Sequence, residues 1–312
     1  MIFNKPKFWD YKNPNYLSKL LSIFTIPIIL NNFFLNLKKK DKVEHIKTIC
    51  IGNIYVGGTG KTPLTIKIDK ILKNLNFKTA TIKKYYKNQI DEQKMLDTKT
   101  KLYCLRKRSD ALQLAVTDKV DIAIFDDGLQ DSSVNYDLRF VCFNSLKWIG
   151  NGRLIPAGPL REKISSLHKY DAIFLNGNDE SIESLKIVIK RFNPNIEIFE
   201  TTYQPINMHV IDKNVKYTIF CGIGNPDSFK KTLLKNKIQI FNEFIFPDHY
   251  NYTTDDINRI KSYAKKFNTK VLTTEKDYIK LNSFLSSGID FIEVQLNIKQ
   301  EDNLINFIKL KL

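Results

Sequence analysis

A glycine-rich segment that ends in lysine and threonine carries the most specific chemical signal in the sequence. It reads GGTGKT and lies between an apolar, strand-like run and a helix-like run. Backbone N–H groups in such a turn converge on phosphate oxygens, and the helix that follows adds a favourable dipole. The lysine reaches the β- and γ-phosphates, and the threonine hydroxyl binds magnesium. The segment therefore predicts an ATP site made by Tyr55, Val56, Gly57, Gly58, Thr59, Gly60, Lys61 and Thr62.

The phosphate-binding pattern is a variant, because Tyr55 stands where a glycine is usual. A short glycine-rich turn can also be purely structural. The sequence Gly60-Lys61-Thr62 between a strand and a helix makes the phosphate interpretation the stronger one. We therefore assign Lys61 a catalytic role as well as a binding role.

Two aspartates close the apolar run from residue 121 to 125, in the sequence DDGLQ. A carboxylate at the carboxyl end of a strand beside the phosphate loop is where a P-loop enzyme holds magnesium. Asp126 is the predicted metal ligand together with Thr62, and Asp127 is a second catalytic candidate. Asp and Gly also favour simple turns, but the upstream phosphate loop favours the metal site.

The segment from residue 150 to 162, GNGRLIPAGPLRE, combines glycines, prolines and two arginines. Arginine's planar fork suits phosphate, so this segment is predicted to contact a phosphorylated substrate or the transferred phosphoryl group. The predicted substrate residues are Asn151, Arg153, Arg161, Glu162 and, from DDGLQ, Gln130.

Composition limits the partners less than the motifs do. The chain has 312 residues and a formal net charge of +16, which favours anionic partners such as nucleotides or a membrane surface. The charge is scattered and no nucleic-acid-binding motif appears, so we predict no nucleic-acid partner and no obligate protein partner. The four cysteines form no CxxC pair, which argues against a zinc site or a disulfide framework.

The N-terminal region predicts a helix at a membrane interface. The run LLSIFTIPIIL, from Leu20 to Leu30, is too short to cross a bilayer, which takes about 20 apolar residues. Aromatic residues precede it, and Lys38, Lys39 and Lys40 follow it, as in interfacial anchors. An ordinary helix packed on the core is the alternative.

Apolar runs alternate with amphipathic stretches from Ile46 onward, which predicts a mainly parallel α/β sheet with helices on both faces. A second series of runs begins near Pro205. We expect an N-terminal interfacial helix over 1–40, a P-loop core over 41–205, and a smaller α/β lobe over 206–312.

Six motifs together resemble the tetraacyldisaccharide 4'-kinase family, in that family's order and approximate spacing. They are GNIYVGGTGKTP, DDGLQ, GNGRLIPAGPLRE, CGIGNP, FPDHYNYT and LTTEKD. The start of the chain, PKFWDYKN and its apolar helix, also resembles that family. The match runs over nearly the whole chain.

The resemblance implies a P-loop kinase that moves the γ-phosphate of ATP to the 4'-hydroxyl of a lipid A disaccharide 1-phosphate. It implies Mg²⁺ as cofactor and a peripheral position on the cytoplasmic face of the bacterial inner membrane. The family's base motif best matches Ile90-Asp91-Glu92. Asp91 would then accept the proton of the sugar hydroxyl and pair with His249 of FPDHY, contributed by the other lobe.

The chain departs from the family around the implied base. Lys84-Tyr85-Tyr86-Lys87 stands where the family has Arg-Gly-Tyr-Gly, the segment up to Asp91 is short, and Asp131 replaces a histidine. Trimming of the substrate loop is the interpretation we favour, since Asp91 and His249 are retained. Two alternatives are a P-loop ATPase of the partitioning or maturation type and a nucleotide-binding membrane protein that has lost catalysis.

Overall fold

The computed structural model describes residues 5–37, 45–177 and 182–312. The strands in these ranges are β1 (Lys47–Gly52), β2 (Thr79–Lys84), β3 (Leu102–Leu105), β4 (Ile122–Asp126), β5 (Leu138–Asn144), β6 (Ala172–Asn176), β7 (Glu197–Pro205), β8 (Lys216–Cys221), β9 (Gln239–Ile245), β10 (Lys270–Thr274), β11 (Ile289–Ile292) and β12 (Val294–Ile298). The α-helices are α1 (Tyr16–Leu21), α2 (Ile26–Leu37), α3 (Lys61–Asn74), α4 (Ile90–Lys99), α5 (Arg108–Thr117), α6 (Ile182–Phe192), α7 (Pro226–Lys235), α8 (Thr254–Lys266), α9 (Glu275–Tyr278), α10 (Ser283–Ser286) and α11 (Glu301–Lys311). Short 3₁₀ helices cover Lys7–Asp10, Ser22–Thr25, Ile164–Lys169 and Met208–Val210.

The described residues fall into two compact units. The larger unit takes its residues from 5–85, 99–202 and 296–312, and the smaller unit from 86–98 and 203–295. The change near residue 203 lies close to the expected boundary. Two segments differ from the expected division, because 86–98 belongs to the smaller unit and 296–312 to the larger one. Residues 5–37 are part of the larger unit and do not form a body of their own.

The larger unit contains an eight-stranded sheet in the order β12-β7-β6-β5-β1-β4-β2-β3. The pairs from β3 across to β7 are all parallel. In the central strand β1, Ile49, Cys50 and Ile51 are all fully buried. Since neighbouring residues of a strand point to opposite faces, both faces of this sheet are covered, which confirms the predicted architecture.

The smaller unit contains a four-stranded parallel sheet in the order β11-β10-β8-β9. Its central strand β8 carries Tyr217, Ile219, Phe220 and Cys221 in the core. The helix α8 packs its buried residues, such as Ile257, against this sheet. A capping box made by Thr253 and Asp256 fixes where α8 begins.

The N-terminal helices have an inverted pattern of exposure. Ser18 of α1 is fully buried and Thr25 is nearly so. Large apolar side chains on the same segment are exposed instead: Tyr16, Leu17, Leu20, Ile23, Phe24, Ile26, Ile29, Leu30 and Phe34. This pattern is opposite to that of a helix packed on a core by its apolar face. No helix of the described residues is long and apolar enough to span a membrane, and Lys38, Lys39 and Lys40 lie outside those residues.

Candidate functional site

The phosphate loop joins β1 to α3, as the sequence predicts. Gly60, the residue before α3, has φ 92°, a left-handed conformation that glycine adopts without the strain of a Cβ. The amide of buried Asn53 donates to Thr59 Oγ1 at 3.0 Å and to the Gly57 carbonyl at 3.3 Å. Asn53 therefore braces the loop from within. The helix N-terminus behind Gly60 leaves Lys61 and Thr62 in the first turn, where a phosphate group would meet them.

Tyr55 and Val56 make contacts elsewhere than the loop's phosphate side. The Val56 N–H donates to the Pro159 carbonyl at 2.8 Å. The buried Tyr55 hydroxyl donates to Asp10 Oδ1 at 2.5 Å, and Lys5 also contacts it. These two residues were predicted to bind nucleotide, but the structure uses their polar groups to join the loop to other segments. The contact of residues 57–62 with phosphate stays a prediction.

Asp126 ends β4 and sits in register between Ile51 of β1 and Lys83 of β2. Its carboxylate is fully buried. Thr62 Oγ1 lies 3.4 Å from Oδ2, and Thr65 Oγ1 lies 3.3 Å from Oδ1. Lys83 Nζ lies 2.5 Å from the same Oδ2. The structure thus brings together the two predicted metal ligands, Thr62 and Asp126, and adds Lys83.

The donor set at this position fits a magnesium ion. A hydroxyl and a carboxylate are hard oxygen ligands, and Mg²⁺ is commonly held by one or two carboxylates together with substrate phosphates. No group of three or more His, Cys, Asp or Glu that could hold a metal occurs among the described residues. Thr62 and Asp126 are the residues that would hold the ion, with phosphate oxygens completing its shell.

Asp127 links the phosphate loop to the segment 150–162. Its Oδ1 lies 3.6 Å from Lys61 Nζ and 3.1 Å from Arg161 Nη1. Its φ of 55° is uncommon for a non-glycine residue and is a form of backbone strain found at functional sites. Buried Arg108 supports this turn, donating to the Asp127 carbonyl at 2.6 Å and to Asp131 at 2.8 Å. Asp131, which replaces the family's histidine, is therefore the partner of Arg108.

Two of the predicted substrate residues hold the N-terminal helices instead. The Asn151 amide donates to Ser18 Oγ at 3.1 Å and to the Ala157 carbonyl at 3.0 Å, and its oxygen accepts the Arg153 N–H. Arg153 Nη1 donates to Ser22 Oγ at 2.8 Å. Because Asn151 is buried and its polar atoms are used inside the protein, the substrate role predicted for it is not supported by its position.

The remaining three predicted substrate residues form one network. Gln130 Nε2 donates to Glu162 Oε1 at 2.8 Å, and Gln130 Oε1 accepts from Arg161 Nη1 at 3.2 Å. Buried Glu162 also accepts from the Tyr170 hydroxyl at 2.9 Å. Arg161 is the most exposed of the three charged side chains at this point, with 30% of its side chain accessible against 14% for Asp127 and 10% for Glu162. It is the member of this set best placed to reach a phosphate.

The smaller unit holds the predicted proton-transfer pair. His249 Nδ1 lies 3.0 Å from both carboxylate oxygens of Asp91. Asp91, in the first turn of α4, is 2% exposed. Both residues belong to the smaller unit, so the expected contribution from two lobes is wrong: α4 starts four residues after the chain enters that unit at Tyr86. The shortened segment before α4 still brings Asp91 to the histidine.

Two lysines complete the surroundings of Asp91. Lys276 Nζ and Lys280 Nζ each lie 3.5 Å from Asp91 Oδ2. Burial opposes ionisation of Asp91, but the hydrogen bond from His249 and the two lysine charges outweigh it and hold the Asp91 pKa well below its usual range. Lys276 also lies 3.2 Å from Asp248 and 3.5 Å from Glu92. These carboxylates overcome the burial of Lys276 and raise its pKa.

Gly222 of the CGIGNP motif lets the His249 loop approach β8. A Cβ there would lie 3.0 Å from the Pro247 carbonyl oxygen and from the Tyr252 hydroxyl. The His249 N–H donates to the Gly222 carbonyl, and His249 itself has φ 59°. Asp277 of LTTEKD accepts the Gly222 N–H at 3.0 Å and the Tyr252 hydroxyl at 3.0 Å. CGIGNP, FPDHYNYT and LTTEKD therefore build one structure that fixes His249.

Sequence reasoning missed the supporting residues of both sites: Asn53, Lys83, Arg108, Lys276 and Lys280. Lys276 stands inside LTTEKD, and the charged residue in that motif is the signal by which it could have been found. Asn53 lies inside GNIYVGGTGKTP in the same way. Nothing in the sequence indicated a role for Lys83 or Arg108, because their partners depend on strand register and helix packing.

A parallel sheet with a phosphate loop before α3 and a carboxylate at the end of β4 defines a P-loop NTPase-like protein. The family described as tetraacyldisaccharide-1-P 4'-kinase (LpxK) matches residues 17–312. The chain is 48% identical over 313 residues to the tetraacyldisaccharide 4'-kinase of Pelagibacter ubique, covering 99% of each. It is 33% identical to the enzyme of that name from Rickettsia akari, covering 96% of this chain and 94% of the other. The chain belongs to the tetraacyldisaccharide 4'-kinase family, whose members are kinases with an alcohol acceptor.

A solved structure agrees in fold. The LpxK of Aquifex aeolicus, crystallised in complex with ATP, superposes with a TM-score of 0.70 and 22% identity, covering 94% of this chain and 98% of that one. The resemblance stated from the motifs is confirmed. Family membership also favours the kinase over the partitioning or maturation ATPase that was the first alternative.

Proposed function

We propose that this protein transfers the γ-phosphate of ATP to the 4'-hydroxyl of a tetraacyldisaccharide 1-phosphate, a step of lipid A biosynthesis. The observation that carries the proposal is the contact of His249 Nδ1 with both oxygens of Asp91 at 3.0 Å, in a family member whose phosphate loop is intact. A phosphate loop alone would suit many NTPases. A buried carboxylate paired with a partly exposed imidazole adds the means to take the proton from an alcohol.

The larger unit binds the phosphate donor. The N–H groups of residues 57–62 surround the phosphates, Lys61 neutralises the β- and γ-phosphates, and Arg161 offers its guanidinium to the transferred group. In the described structure Lys61 and Arg161 are both paired with Asp127, at 3.6 Å and 3.1 Å. The phosphates of ATP compete with Asp127 for these cations. Mg²⁺ held by Thr62 and Asp126 would neutralise phosphate charge as it develops.

The smaller unit supplies the base. Asp91 was predicted to accept the proton, but both of its oxygens already face His249, and Lys276 and Lys280 keep it ionised. A carboxylate with so low a pKa is a weak base by itself. We therefore assign proton uptake to the Asp91–His249 pair, with the proton carried on the imidazole and Asp91 holding its Nδ1 side.

A phosphorylation assay tests the function directly. Purified protein is incubated with Mg²⁺, ATP and disaccharide 1-phosphate, and we expect the bisphosphorylated lipid. Lys61→Ala, with no product, is the control for contaminating kinases. ATP hydrolysis that needs no acceptor would instead indicate an ATPase, and ATP binding without turnover would indicate a chain that has lost catalysis.

We also propose that the exposed apolar face of α1, α2 and the 3₁₀ helix between them lies in an anionic membrane surface on the cytoplasmic side. The polar side of these helices is bonded to the protein: Ser18 Oγ donates to the Ala157 carbonyl at 2.6 Å, and Asn32 donates to the Arg161 carbonyl at 2.9 Å. The apolar side faces outward, with Ile23 and Phe24 66% and 63% exposed. Such a patch marks an interaction surface, and the substrate's acyl chains favour a lipid one.

Substitution is a better test of this surface than deletion, because deletion would also remove the bonds made by Ser18 and Asn32. Ile23→Asp/Phe24→Asp should lose most of its sedimentation with vesicles that contain anionic lipid. Phe284→Asp, at a side chain 78% exposed in the smaller unit, is the matched control and should bind vesicles as the wild type does. Equal binding by both variants would refute the membrane surface.

A further inference from the structure

Lys83 carries a buried positive charge on β2, the strand next to the edge strand β3 of the larger sheet. Its side chain is 1% exposed, and it is the register partner of Asp126 on the neighbouring strand. A buried ammonium is stable only when paired, and Asp126 Oδ2 lies 2.5 Å from its Nζ. The carboxylate that the proposed function assigns to the metal therefore already has a cation of the protein bound to it.

The neighbouring charges are satisfied internally in the same manner. Lys61 and Arg161 share Asp127, while Lys83 takes Asp126. Three cations thus face two carboxylates. When ATP is bound, its phosphates provide new partners for Lys61 and Arg161, but Lys83 and a metal ion would still compete for the same oxygen of Asp126.

We propose that Lys83 is an internal counter-ion of the metal ligand Asp126, and that it sets how strongly the site binds a divalent cation before nucleotide arrives. The inference rests on the proposed function for the identity of the metal site. Lys83 keeps buried Asp126 compensated when no metal is present, and its charge weakens the attraction of Asp126 for Mg²⁺. Metal binding is thereby made dependent on the additional negative charge that the phosphates bring.

Removal of the Lys83 charge has two effects, and both increase the stabilisation that Mg²⁺ gives to the folded protein. Asp126 without its counter-ion is a buried, unpaired carboxylate, which destabilises the metal-free protein. The same carboxylate attracts Mg²⁺ more strongly, because one positive charge next to it is gone. Mg²⁺ alone should therefore stabilise the Lys83→Met variant at much lower concentration than it stabilises the wild type.

The experiment follows thermal unfolding of the nucleotide-free full chain during titration with Mg²⁺. The Lys83→Met midpoint for stabilisation should fall at least about tenfold in Mg²⁺ concentration. Lys84→Met is the matched control, since the next residue of β2 points to the opposite face and should leave the midpoint unchanged. Lys83→Met/Asp126→Asn should lose the response.

The proposal is wrong if Lys83→Met responds to Mg²⁺ over the wild-type range, or if the double variant keeps the response. Where Lys83→Met does not fold, Lys83→Gln retains a donor without the charge and should give the same shift. Should neither fold, refolding in Mg²⁺ is expected to rescue Lys83→Met, and failure to do so also contradicts the proposal. Because Mg²⁺ alone is the probe, this outcome is separate from whether the chain phosphorylates the disaccharide.

Discussion

The phosphate site of the larger unit and the Asp91–His249 cluster of the smaller unit have opposite charge balances. At the phosphate site, the cations Lys61, Lys83 and Arg161 face two carboxylates, Asp126 and Asp127. In the cluster, the carboxylates Asp91, Glu92, Asp248 and Asp277 face two lysines, Lys276 and Lys280. An excess of cations suits a polyanion, and an excess of carboxylates suits a group that takes up a proton.

The two sites also differ in how the chain assembles them. The phosphate site depends on one loop and the ends of adjacent parallel strands, so most of its groups come from short local motifs. The cluster depends on residues far apart in the sequence, since Asp91 and His249 are separated by 158 positions. Both share one feature, a candidate catalytic residue with positive φ, which is Asp127 in one and His249 in the other. Strain of that kind persists only where surrounding contacts enforce it.

The largest effect is expected at Lys61. Lys61→Ala should lower kcat about 10⁴-fold, because it removes the side chain that neutralises both the β- and the γ-phosphate. Lys70→Ala, an exposed lysine on the same helix, is the matched control and should stay within twofold of wild type, about the scatter of such assays. Transfer of radiolabelled phosphate from ATP to the disaccharide measures the activity of both variants. Near-normal turnover by Lys61→Ala would contradict the kinase assignment.

The cluster should show a smaller loss with strong coupling. Asp91→Asn and His249→Ala should each lower kcat by about 10² to 10⁴, the usual contribution of a general base. Since the two residues act as a pair, the double variant should be little worse than the worse single variant. If the loss in the double variant equalled the product of the two single losses, Asp91 and His249 would have independent roles. Asp91 would then not be part of the general base.

The two aspartates of the phosphate site should be unequal. Asp126→Asn should lower activity about 10²- to 10³-fold and raise the Mg²⁺ concentration required, because it removes the carboxylate beside Thr62. Asp127→Asn should cost about tenfold, since Lys61 and Arg161 remain available to phosphate. Kinase activity measured over a series of Mg²⁺ concentrations distinguishes the two variants. A larger loss in Asp127→Asn than in Asp126→Asn would indicate that Asp127 is the metal ligand.

The sequence allowed the phosphate site to be located because its geometry is local. Residues 57–62 and Asp126 needed only a strand, a turn and a helix in order. The N-terminal helices were harder, since an apolar run can pack inward or outward. The exposure of their side chains and the bonds of Ser18 and Asn32 show that the polar side is the buried one.

Contacts that depend on tertiary packing could not be predicted from the sequence. The composition of the loop 150–162 predicts Asn151 and Arg153 as substrate residues. In the structure Asn151 donates hydrogen bonds to Ser18 and Ala157, and Arg153 donates one to Ser22. Lys83 reads as one of several lysines in a lysine-rich chain until the register sets it opposite Asp126. The pairing of Asp91 with His249 came from family resemblance, and its placement in one unit came only from the fold.

The smallest expected effect concerns the stability that Asp91 contributes to the folded state. Its carboxylate is held ionised by His249, Lys276 and Lys280, so its folded pKa lies below the value of about 3.9 for an unfolded aspartate. A group with a depressed folded pKa contributes stability that is complete above the unfolded pKa and is lost as pH falls through the folded pKa. Asp91→Asn, which cannot ionise, should therefore be about 1–3 kcal/mol less stable than the wild type between about pH 5 and 8. Below about pH 4 that difference should shrink.

Urea unfolding at a series of pH values measures the difference in stability between Asp91→Asn and the wild type. Asp97→Asn, an exposed aspartate of the same helix, is the control and should show a small difference that changes little with pH. If the Asp91→Asn difference persisted unchanged to the acid limit of folding, its origin would be packing, and the ionic contacts around Asp91 would have no part in it.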